Sequence, residues 1–477
     1  MLIRSAELAG RDGVDVRIGD GRISEIGRGL SALRGERVLD AAGGALLPGL
    51  HDHHVHLFAM AAAQSSVVCG PPAVRDAEGL AAALASARAE PPIGGAPHAG
   101  WIRGVGYCES VAGALDRVAL DRITPDTPLR IQHRSGAMWI LNSAGVARLG
   151  LDRGVDARGV ERDDAGRATG RLLRLDTWLR EQIESGDTTR PCFARVGRQL
   201  ARFGVTGVTD ATPANGRSEL AAFVDAIEKG ELRQQLLVMG KSSLPVSSHP
   251  EVERGAVKIW LAESDLPPFE ALVETIEVAH RQRRPVAVHC VTRAELVLAS
   301  AAVASAGSLA GDRIEHAAVV PPDAMALLSD VGVTVVTQPN FIFERGDRYA
   351  VEVDPRDRPW LYRGRGFLDA AVPLGGGTDA PFGNSDPWLA MRAAVDRRSA
   401  AGLELAGDEA LTPERALGLF TSPAKAPGAP PRQIAVAASA DLCLLDRPWS
   451  AARRSLTSDQ VAATLCRGRL TWLRKGS

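Results

Sequence analysis

The sequence lacks the features that mark many membrane proteins and nucleic-acid-binding proteins. No run of about 18 apolar residues occurs in the chain, so we expect no membrane-spanning helix. Lys and Arg together number 56 and Asp and Glu 57, which gives a formal net charge of -1. This balance favours neither a nucleic acid nor an anionic membrane surface as a partner.

The cysteines lack a pattern that would predict disulfides or a cysteine metal site. There are six of them with no C-x-x-C pair: Cys69, Cys108, Cys192, Cys290, Cys443 and Cys466. The N-terminal stretch MLIRSAELAGRDGVDVRIGDG lacks the apolar segment of a secretory signal peptide. We therefore expect reduced thiols and a cytoplasmic location.

The middle of the chain alternates apolar strand-like runs with amphipathic helical stretches. This alternation predicts a parallel sheet with helices outside, and eight such units predict a closed (β/α)8 TIM barrel of the α/β class. A doubly wound open sheet is the structural alternative. The candidate strands are GALLPGLHDHHVH at the start, then 204–210, 235–240, 256–260, 285–290, 313–317, 333–338 and 372–379.

Both ends of the chain have β patterns, and one gap interrupts the barrel rhythm. Residues 1–47 and 435–477 are expected to pair into a small composite β-sandwich domain flanking a barrel domain at 48–434. The gap, about 60–203, is too long for an ordinary loop and predicts a large insertion after barrel strand 1. This insertion could form a lid or pocket wall, or be a decoration without a role.

The stretch HDHHVH (51–56) is the first candidate for chemistry. His54 and His56 are two residues apart, so on a strand they share one face and could chelate a metal at the C-terminal end of the barrel. A solvated turn is the alternative for such a pair taken alone. His51 and His53 point to the opposite side, where we expect supporting or structural roles.

Further candidates stand at later strand ends. His289 ends PVAVHC, His316 ends RIEHA, and Asp379 ends VPLGGGTD. Histidines at successive strand ends, after the pair on the first strand, favour a shared metal site over satisfied core residues. An acid at the last strand can bind metal and act as a general base, or cap the following helix.

Lys258, in GAVKIW, is predicted at the end of the fourth strand. Burial would lower the pKa of its amine, and a neutral amine can react with CO₂ to give a carbamate that bridges two divalent ions. Alternatively, the side chain reaches solvent or pairs with Glu263.

These residues together resemble the amidohydrolase superfamily of metal-dependent hydrolases. LLPGLHDHHVHL resembles its strand-one signature, a Pro-Gly followed by Asp, one variable residue and H-x-H. LTPERALGLFTSPAKAPG and ASADLCLLDRPW resemble its closing segments. WIRGVGY and HRSGAMWILNSAGV in the insertion, and TQPN (337–340), are similar to the branch that contains N-substituted formamide deformylase.

The resemblance implies roles for the same residues. His54 and His56 would hold the more buried metal, carboxylated Lys258 would bridge, and His289 and His316 would hold the second. Asp379 would bind metal and move the proton, and His289 would help to polarise the substrate. The cofactor is expected to be one or two divalent ions, with zinc best suited to these ligands and Mn or Fe tolerated.

The substrate is a small molecule, and the expected pocket mixes aromatic and basic side chains. An apolar or aromatic amide is one expectation, and a carboxylate bound by the arginines is another. The candidate substrate-binding residues are Trp101, Arg103, His133, Arg134, Trp139, Asn340, Phe341, Trp360 and Phe382.

Several functions fit this frame. The first is hydrolysis of an amide or formamide C–N bond other than a peptide bond. The alternatives are a deaminase of a heteroaromatic ring with one metal, a lyase, isomerase or decarboxylase on the same metal frame, and a binding protein that kept the fold. We also expect a homo-oligomer, a dimer.

Overall fold

The computed structural model describes residues 1–71, 73–89, 100–153, 158–184 and 192–474. The chain divides into two compact units. The first comprises Met1–Leu57 and Phe193–Ser477, and the second comprises Phe58–Cys192.

The first unit contains an eight-stranded sheet in which every neighbouring pair is parallel and the strands follow one another in chain order. The first and last strands are also joined, because Asp379 N donates to His54 O (2.8 Å) and His56 N donates to Ala380 O (2.8 Å). The predicted parallel barrel is therefore confirmed, and the open-sheet alternative is wrong. The strands are Leu50–Val55, Val205–Asp210, Gln235–Gly240, Val252–Trp260, Val286–Cys290, Arg313–His316, Thr334–Thr337 and Leu374–Gly376.

Helices follow these strands and bury apolar faces. For example, the helix Arg293–Ala306 begins at Thr292, whose side chain accepts from Glu295 N in a capping box. Its buried face includes Leu296 and Val303. The other helices of eight or more residues are Ala194–Arg202, Arg217–Glu228, Phe269–Arg281, Pro322–Val331, Asn340–Glu352, Pro387–Asp396 and Pro413–Thr421; shorter ones are Arg365–Asp369 and Trp449–Ala452.

The two ends of the chain form a pair of four-stranded sheets in the same unit. Both sheets contribute to one buried hydrophobic cluster, which contains Ile3 and Val16 from one and Leu444 and Leu465 from the other. The predicted sandwich domain stays a prediction. The strands are Leu2–Leu8, Arg11–Gly19, Arg22–Gly27 and Val38–Asp40, then Leu46–Pro48, Leu442–Leu445, Val461–Cys466 and Arg469–Leu473.

The second unit contains a six-stranded sheet. It ends at Cys192, and the helix Ala194–Arg202 belongs to the first unit although the predicted insertion extends to about residue 203. The strands are Val67–Val68, Ile102–Tyr107, Leu129–His133, Met138–Leu141, Val160–Arg162 and Ala168–Leu173. The helix Leu57–Gln64 begins at the boundary between the units. The later helices are Ala77–Ala89, Glu109–Ala112, Arg117–Asp121, Ser143–Arg148 and Asp176–Glu184.

Within the described ranges, no helix combines the length and the apolar character needed to cross a membrane.

Candidate metal centre

Three predicted ligands converge where the first and last barrel strands end. His54, His56 and Asp379 each offer one ligand atom, and these atoms all lie within 4.8 Å of one another. His54 is 1% exposed and Asp379 8% exposed. The backbone bonds that close the barrel join these same residues, so barrel closure itself brings the acid to the histidine pair.

A hydrogen bond to Glu315 decides which nitrogen of His54 can bind a metal. The Nδ1 atom of His54 contacts Glu315 Oε2, and both side chains are buried. Burial would raise the pKa of Glu315, but the charges of Arg313 and Lys258 and its contact with His54 hold it well below its usual range. An ionised carboxylate only accepts, so Nδ1 carries the proton and Nε2 keeps its lone pair.

The same arrangement recurs at His316 and fits His56. His316 Nδ1 lies 2.7 Å from Gln338 Oε1, an acceptor, and His56 Nδ1 lies 2.9 Å from Thr212 Oγ1. Metal-binding histidines are commonly held in this way, with one nitrogen donating to an oxygen and the other left to bind the ion.

The Nε2 atoms of His54 and His56 both face an acid. His54 Nε2 lies 3.6 Å from Asp379 Oδ1, and His56 Nε2 lies 3.2 Å from the same oxygen. Burial and the charge of Lys258 lower the pKa of His54 to about 3, so its imidazole is neutral. Two acceptors that face each other in a buried site repel unless a cation lies near both. These residues therefore fit a divalent metal.

The remaining predicted ligands surround this group. The ring centroids of His316 and His54 are 4.9 Å apart, and those of His289 and His316 are 4.4 Å apart. Burial is the largest cause that lowers the pKa of both His289 and His316, which favours the neutral forms that bind metals. The assignment of these histidines to a second metal remains a prediction.

Lys258 is buried beside the histidines, as expected. Its Nζ has no hydrogen-bond partner in the described structure, and the nearest acid is Glu315, whose Oε2 is 3.9 Å away. Burial lowers the pKa of Lys258 to about 8. The lysine therefore neither reaches solvent nor pairs with Glu263 as the alternatives supposed, and its amine is neutral more readily than a surface lysine's.

Sequence reasoning missed Glu315 and Arg313, which contact His54 and the backbone of His53 and so support the candidate ligands. Arg313 Nε contacts Glu315 Oε1, and its Nη2 donates to His53 O at 2.8 Å. Both side chains are buried, on alternate positions of the strand Arg313–His316. Charged residues two apart within a short buried strand were the available signal, because a buried charge needs a partner.

Two candidate ligands at strand ends depart from extended backbone. His316 has φ 69° and Asp379 has φ 56°, values in the left-handed region that non-glycine residues seldom adopt. Such conformations cost on the order of 1–3 kcal/mol each and are concentrated at functional sites. The turn lets His316 reach the centre although its neighbour Glu315 also faces it.

On the other face of the first strand, His51 and His53 contact hydroxyl groups, and their structural role stays a prediction. His51 Nε2 lies 2.9 Å from Thr209 Oγ1, and His53 Nε2 lies 3.0 Å from Ser422 Oγ. Asp52 instead joins the closing strand, since its carboxylate accepts from Thr378 Oγ1 (2.6 Å) and Thr378 N (3.0 Å).

The predicted substrate residues of the barrel unit differ in their surroundings. Phe382 packs edge-on against His56, with ring centroids 5.3 Å apart. Asn340 is buried and donates to Glu344 and to Thr378 O, while Phe341 is 2% exposed and packs on Tyr362. The guanidinium carbon of Arg293 lies over the Trp360 ring, 5.8 Å from its centroid. Of these, only Phe382 contacts a candidate ligand directly in the described structure.

The other predicted substrate residues lie in the second unit. Arg103 is buried, donates to Ser66 and Gln132, and lies 5.1 Å from the ring of Trp139. The remaining three make these contacts: Trp101 with the guanidinium of Arg130, His133 with Ser135 and Glu109, and Arg134, through its backbone, with Tyr107 O. Their assignment to substrate binding remains a prediction.

A parallel eight-stranded barrel with histidines and an acid at its strand ends belongs to the class of barrel enzymes that work with a bound metal. The comparison with known families identifies the particular one. The model of the amidohydrolase family matches residues 37–472, and the chain belongs to that family. The resemblance inferred from the sequence is thereby confirmed.

Individual relatives support the same family assignment. The chain is 27% identical over 522 residues to an N-substituted formamide deformylase from Arthrobacter pascens, covering 97% of this chain and 95% of that protein. An uncharacterised metal-dependent hydrolase from Pyrococcus horikoshii has a similar fold, with a TM-score of 0.74 at 19% identity over 94% of this chain and 97% of the other. N-isopropylammelide isopropylaminohydrolase from Burkholderia multivorans gives 0.52 at 17% identity over 98% and 97%.

Proposed function

We propose that this protein is a metal-dependent hydrolase that cleaves the C–N bond of a small amide- or formamide-like substrate. The observation that carries the proposal is the set of nitrogen lone pairs that face the Asp379 carboxylate at the barrel mouth. Membership of the amidohydrolase family and the similarity to a formamide deformylase support the same bond class. The predicted cytoplasmic location and homodimer remain expectations.

The residues that would hold the metal are His54, His56 and Asp379, with His289 and His316 available to a second ion. Zinc suits this nitrogen and oxygen donor set. When bound, a divalent ion supplies Lewis-acid activation of water and of a carbonyl oxygen. Lys258, which has a buried amine without a hydrogen bond, is suited to form the bridging carbamate.

Asp379 is suited to move the proton. Burial would raise the pKa of its carboxyl, but its contact with His56 and the nearby imidazoles hold it well below the usual range. The carboxylate is therefore ionised at neutral pH, and Oδ1 can accept a proton from the attacking water and return it to the leaving nitrogen. Glu315 orients His54, and the ring of Phe382 packs against His56.

The test combines metal analysis with a panel of formamides and N-acyl amides. We expect the wild-type protein to contain at least one divalent ion per chain and to release formate or carboxylate and amine. His54→Ala should lose metal and activity together. His51→Ala is the matched control, since its imidazole bonds Thr209 on the opposite face. Metal content at the wild-type level in His54→Ala would contradict the proposed site.

One contact favours a second candidate, a deaminase with a single metal. Lys258 Nζ lies 3.9 Å from Glu315 Oε2, a distance at which a charged, unmodified lysine would form an ion pair. Lys258→Ala separates the two functions. A fall from two metals to one per chain, with activity partly restored by short carboxylic acids, supports the carbamate. A single metal in both proteins and ammonia release from heteroaromatic amines support the deaminase.

A further inference from the structure

Arg345 contacts two phenylalanines near the candidate metal centre. It lies on the helix Asn340–Glu352, which follows the seventh barrel strand. Its guanidinium carbon lies 3.7 Å from the centroid of the Phe341 ring, and its Nη2 donates to Phe382 O at 2.7 Å. The Phe341 ring and the Phe382 carbonyl together constrain the position and the plane of the Arg345 guanidinium.

The carbonyl that holds Arg345 belongs to the loop that carries the proton-moving acid. Phe382 N donates to Asp379 O at 2.8 Å, and the Phe382 ring packs against His56. Phe382 therefore links Arg345 to two candidate metal ligands, Asp379 and His56. Sequence reasoning had selected Phe341 and Phe382 for the substrate pocket, but not the arginine that contacts both.

The charge of Arg345 is not neutralised by a direct ion pair. Within the described parts of the chain, no carboxylate oxygen lies within 4.0 Å of its guanidinium, whereas the partly buried Arg363 pairs with Glu409 at 2.7 Å. Glu344, its neighbour in sequence, accepts from Asn340 Nδ2 and from Asn384 N instead. Apart from the bond to Phe382, no donor of Arg345 has a protein acceptor in the described structure.

The guanidinium stays charged in this position. Burial would lower the pKa of Arg345, but the nearby Tyr349, Tyr362, Asp379 and Glu344 outweigh burial and raise it. A permanently charged planar fork that is already ordered binds a carboxylate in two parallel hydrogen bonds and loses little side-chain entropy in doing so.

We propose that Arg345 is a specificity-determining residue that binds a carboxylate on the substrate, so that the substrate class is an amide or formamide bearing a free acid, such as an N-formyl or N-acyl amino acid. This inference rests on the proposed function. Its geometric basis is separate, namely a fixed guanidinium without an ion pair at the edge of the centre.

The test compares two substrates that differ only in charge, N-formylphenylalanine and N-formylphenylalaninamide, in the metal-loaded enzyme. The wild type should prefer the acid in kcat/KM by about tenfold or more, the worth of a hydrogen bond to a charged group. R345Q should lose about that factor for the acid and stay within about twofold for the amide. R348Q is the control, because Arg348 is exposed on the same helix and pairs with Glu352.

Other outcomes separate a structural role from a binding role. R345K keeps the charge without the fork and should fall between wild type and R345Q for the acid alone. If R345Q or R345K lowers kcat/KM equally for acid and amide, or if the wild type prefers the amide, the proposal is overturned. Metal content and Tm equal to those of R348Q would show that the fold is retained.

Failure of the proposed function can be recognised independently. If the wild type hydrolyses neither compound, calorimetric titration with the same two compounds still measures binding. Tighter binding of the acid that is lost in R345Q and kept in R348Q supports the carboxylate site even though formamide hydrolysis fails. Equal binding of acid and amide by all three proteins overturns the carboxylate site.

Discussion

A buried arginine of the second unit and the histidines at the barrel mouth meet opposite kinds of polar neighbour. In the second unit, Arg103 donates to Ser66 and Gln132 and stacks on Trp139, whose Nε1 donates to Asp176 at 2.7 Å. In the barrel unit, the Nε2 atoms of His54 and His56 face an acid. Both terminal nitrogens of Arg103 meet an acceptor, whereas the Nε2 lone pair of His54 faces the Asp379 carboxylate.

The difference shows that buried charge alone does not indicate chemistry. A buried donor paired with an acceptor stabilises the fold, and its loss is felt as lost stability. Acceptors that converge without a donor store repulsion that a bound cation relieves. The same sequence feature, a polar residue on a buried strand, thus has a structural role at Arg103 and indicates a metal site at the barrel mouth.

Removal of the acid from the barrel mouth should have the largest effect. Asp379→Asn replaces an acceptor that can take a proton with an amide that cannot, so turnover should fall about 10²–10⁴-fold. Metal affinity should fall too, while the metal-free protein should be at least as stable as wild type, because the amide N–H can donate to an imidazole. Steady-state kinetics measure turnover, metal analysis measures metal binding, and denaturation measures stability.

The control for that variant is Asp312→Asn, a buried acid in the barrel wall that bonds His280 at 3.0 Å. It should lower stability and leave turnover per folded molecule unchanged. Equal turnover in Asp379→Asn and the wild type would remove Asp379 as the base.

A smaller effect is expected when the support beneath the ligands is weakened. Glu315→Gln still accepts from His54 but no longer pairs as an anion with Arg313 and Lys258. Metal affinity should fall about 10–100-fold, the usual cost of losing such a supporting group. Competition with a chelating dye measures this affinity.

Glu295→Gln is the matched control for Glu315→Gln. Glu295 is a buried acid whose oxygens accept from the backbone of Val291 and Glu263. This variant should lose stability with unchanged metal affinity. If both glutamine variants bind metal equally well, Glu315 has no special part in the centre.

The smallest effect is expected in the second unit. Trp139→Phe keeps a ring beneath Arg103 but loses the bond to Asp176, so the free energy of unfolding should fall by about 1.5–3 kcal/mol. Metal content should not change. Trp449→Phe is the control, since its Nε1 bonds the exposed Glu414, and it should cost less than about 1 kcal/mol. Loss of metal in Trp139→Phe would contradict a purely structural role for Trp139 and Arg103.

Much of the barrel and the positions of the candidate ligands at strand ends could be predicted because each depends on short-range patterns. Apolar runs such as PVAVHC identified strands, and the strand ends located His289 and His316. An H-x-H pair on one strand shares a face whatever the rest of the chain does. The family resemblance then arranged these residues around one centre.

The supporting residues could not be predicted in the same way. Glu315 contacts His54 across 261 positions of sequence, and Arg313 reaches His53 O across 260. No local pattern says which carboxylate a buried imidazole will meet. Arg345 was missed for a related reason, since its importance comes from the carbonyl of Phe382, 37 residues further along the chain.

By itself, the sequence determined the strand order, the strand ends and the kinds of donor atoms placed there, because side-chain alternation and helix periodicity are local properties of the backbone. Only the tertiary structure decided which nitrogen of His54 is free, which acid the histidines face, and, among the described residues, that the Lys258 amine lacks a hydrogen bond and the Arg345 guanidinium lacks an ion pair. Those properties depend on hydrogen bonds and burial that arise only when distant strands close into one barrel.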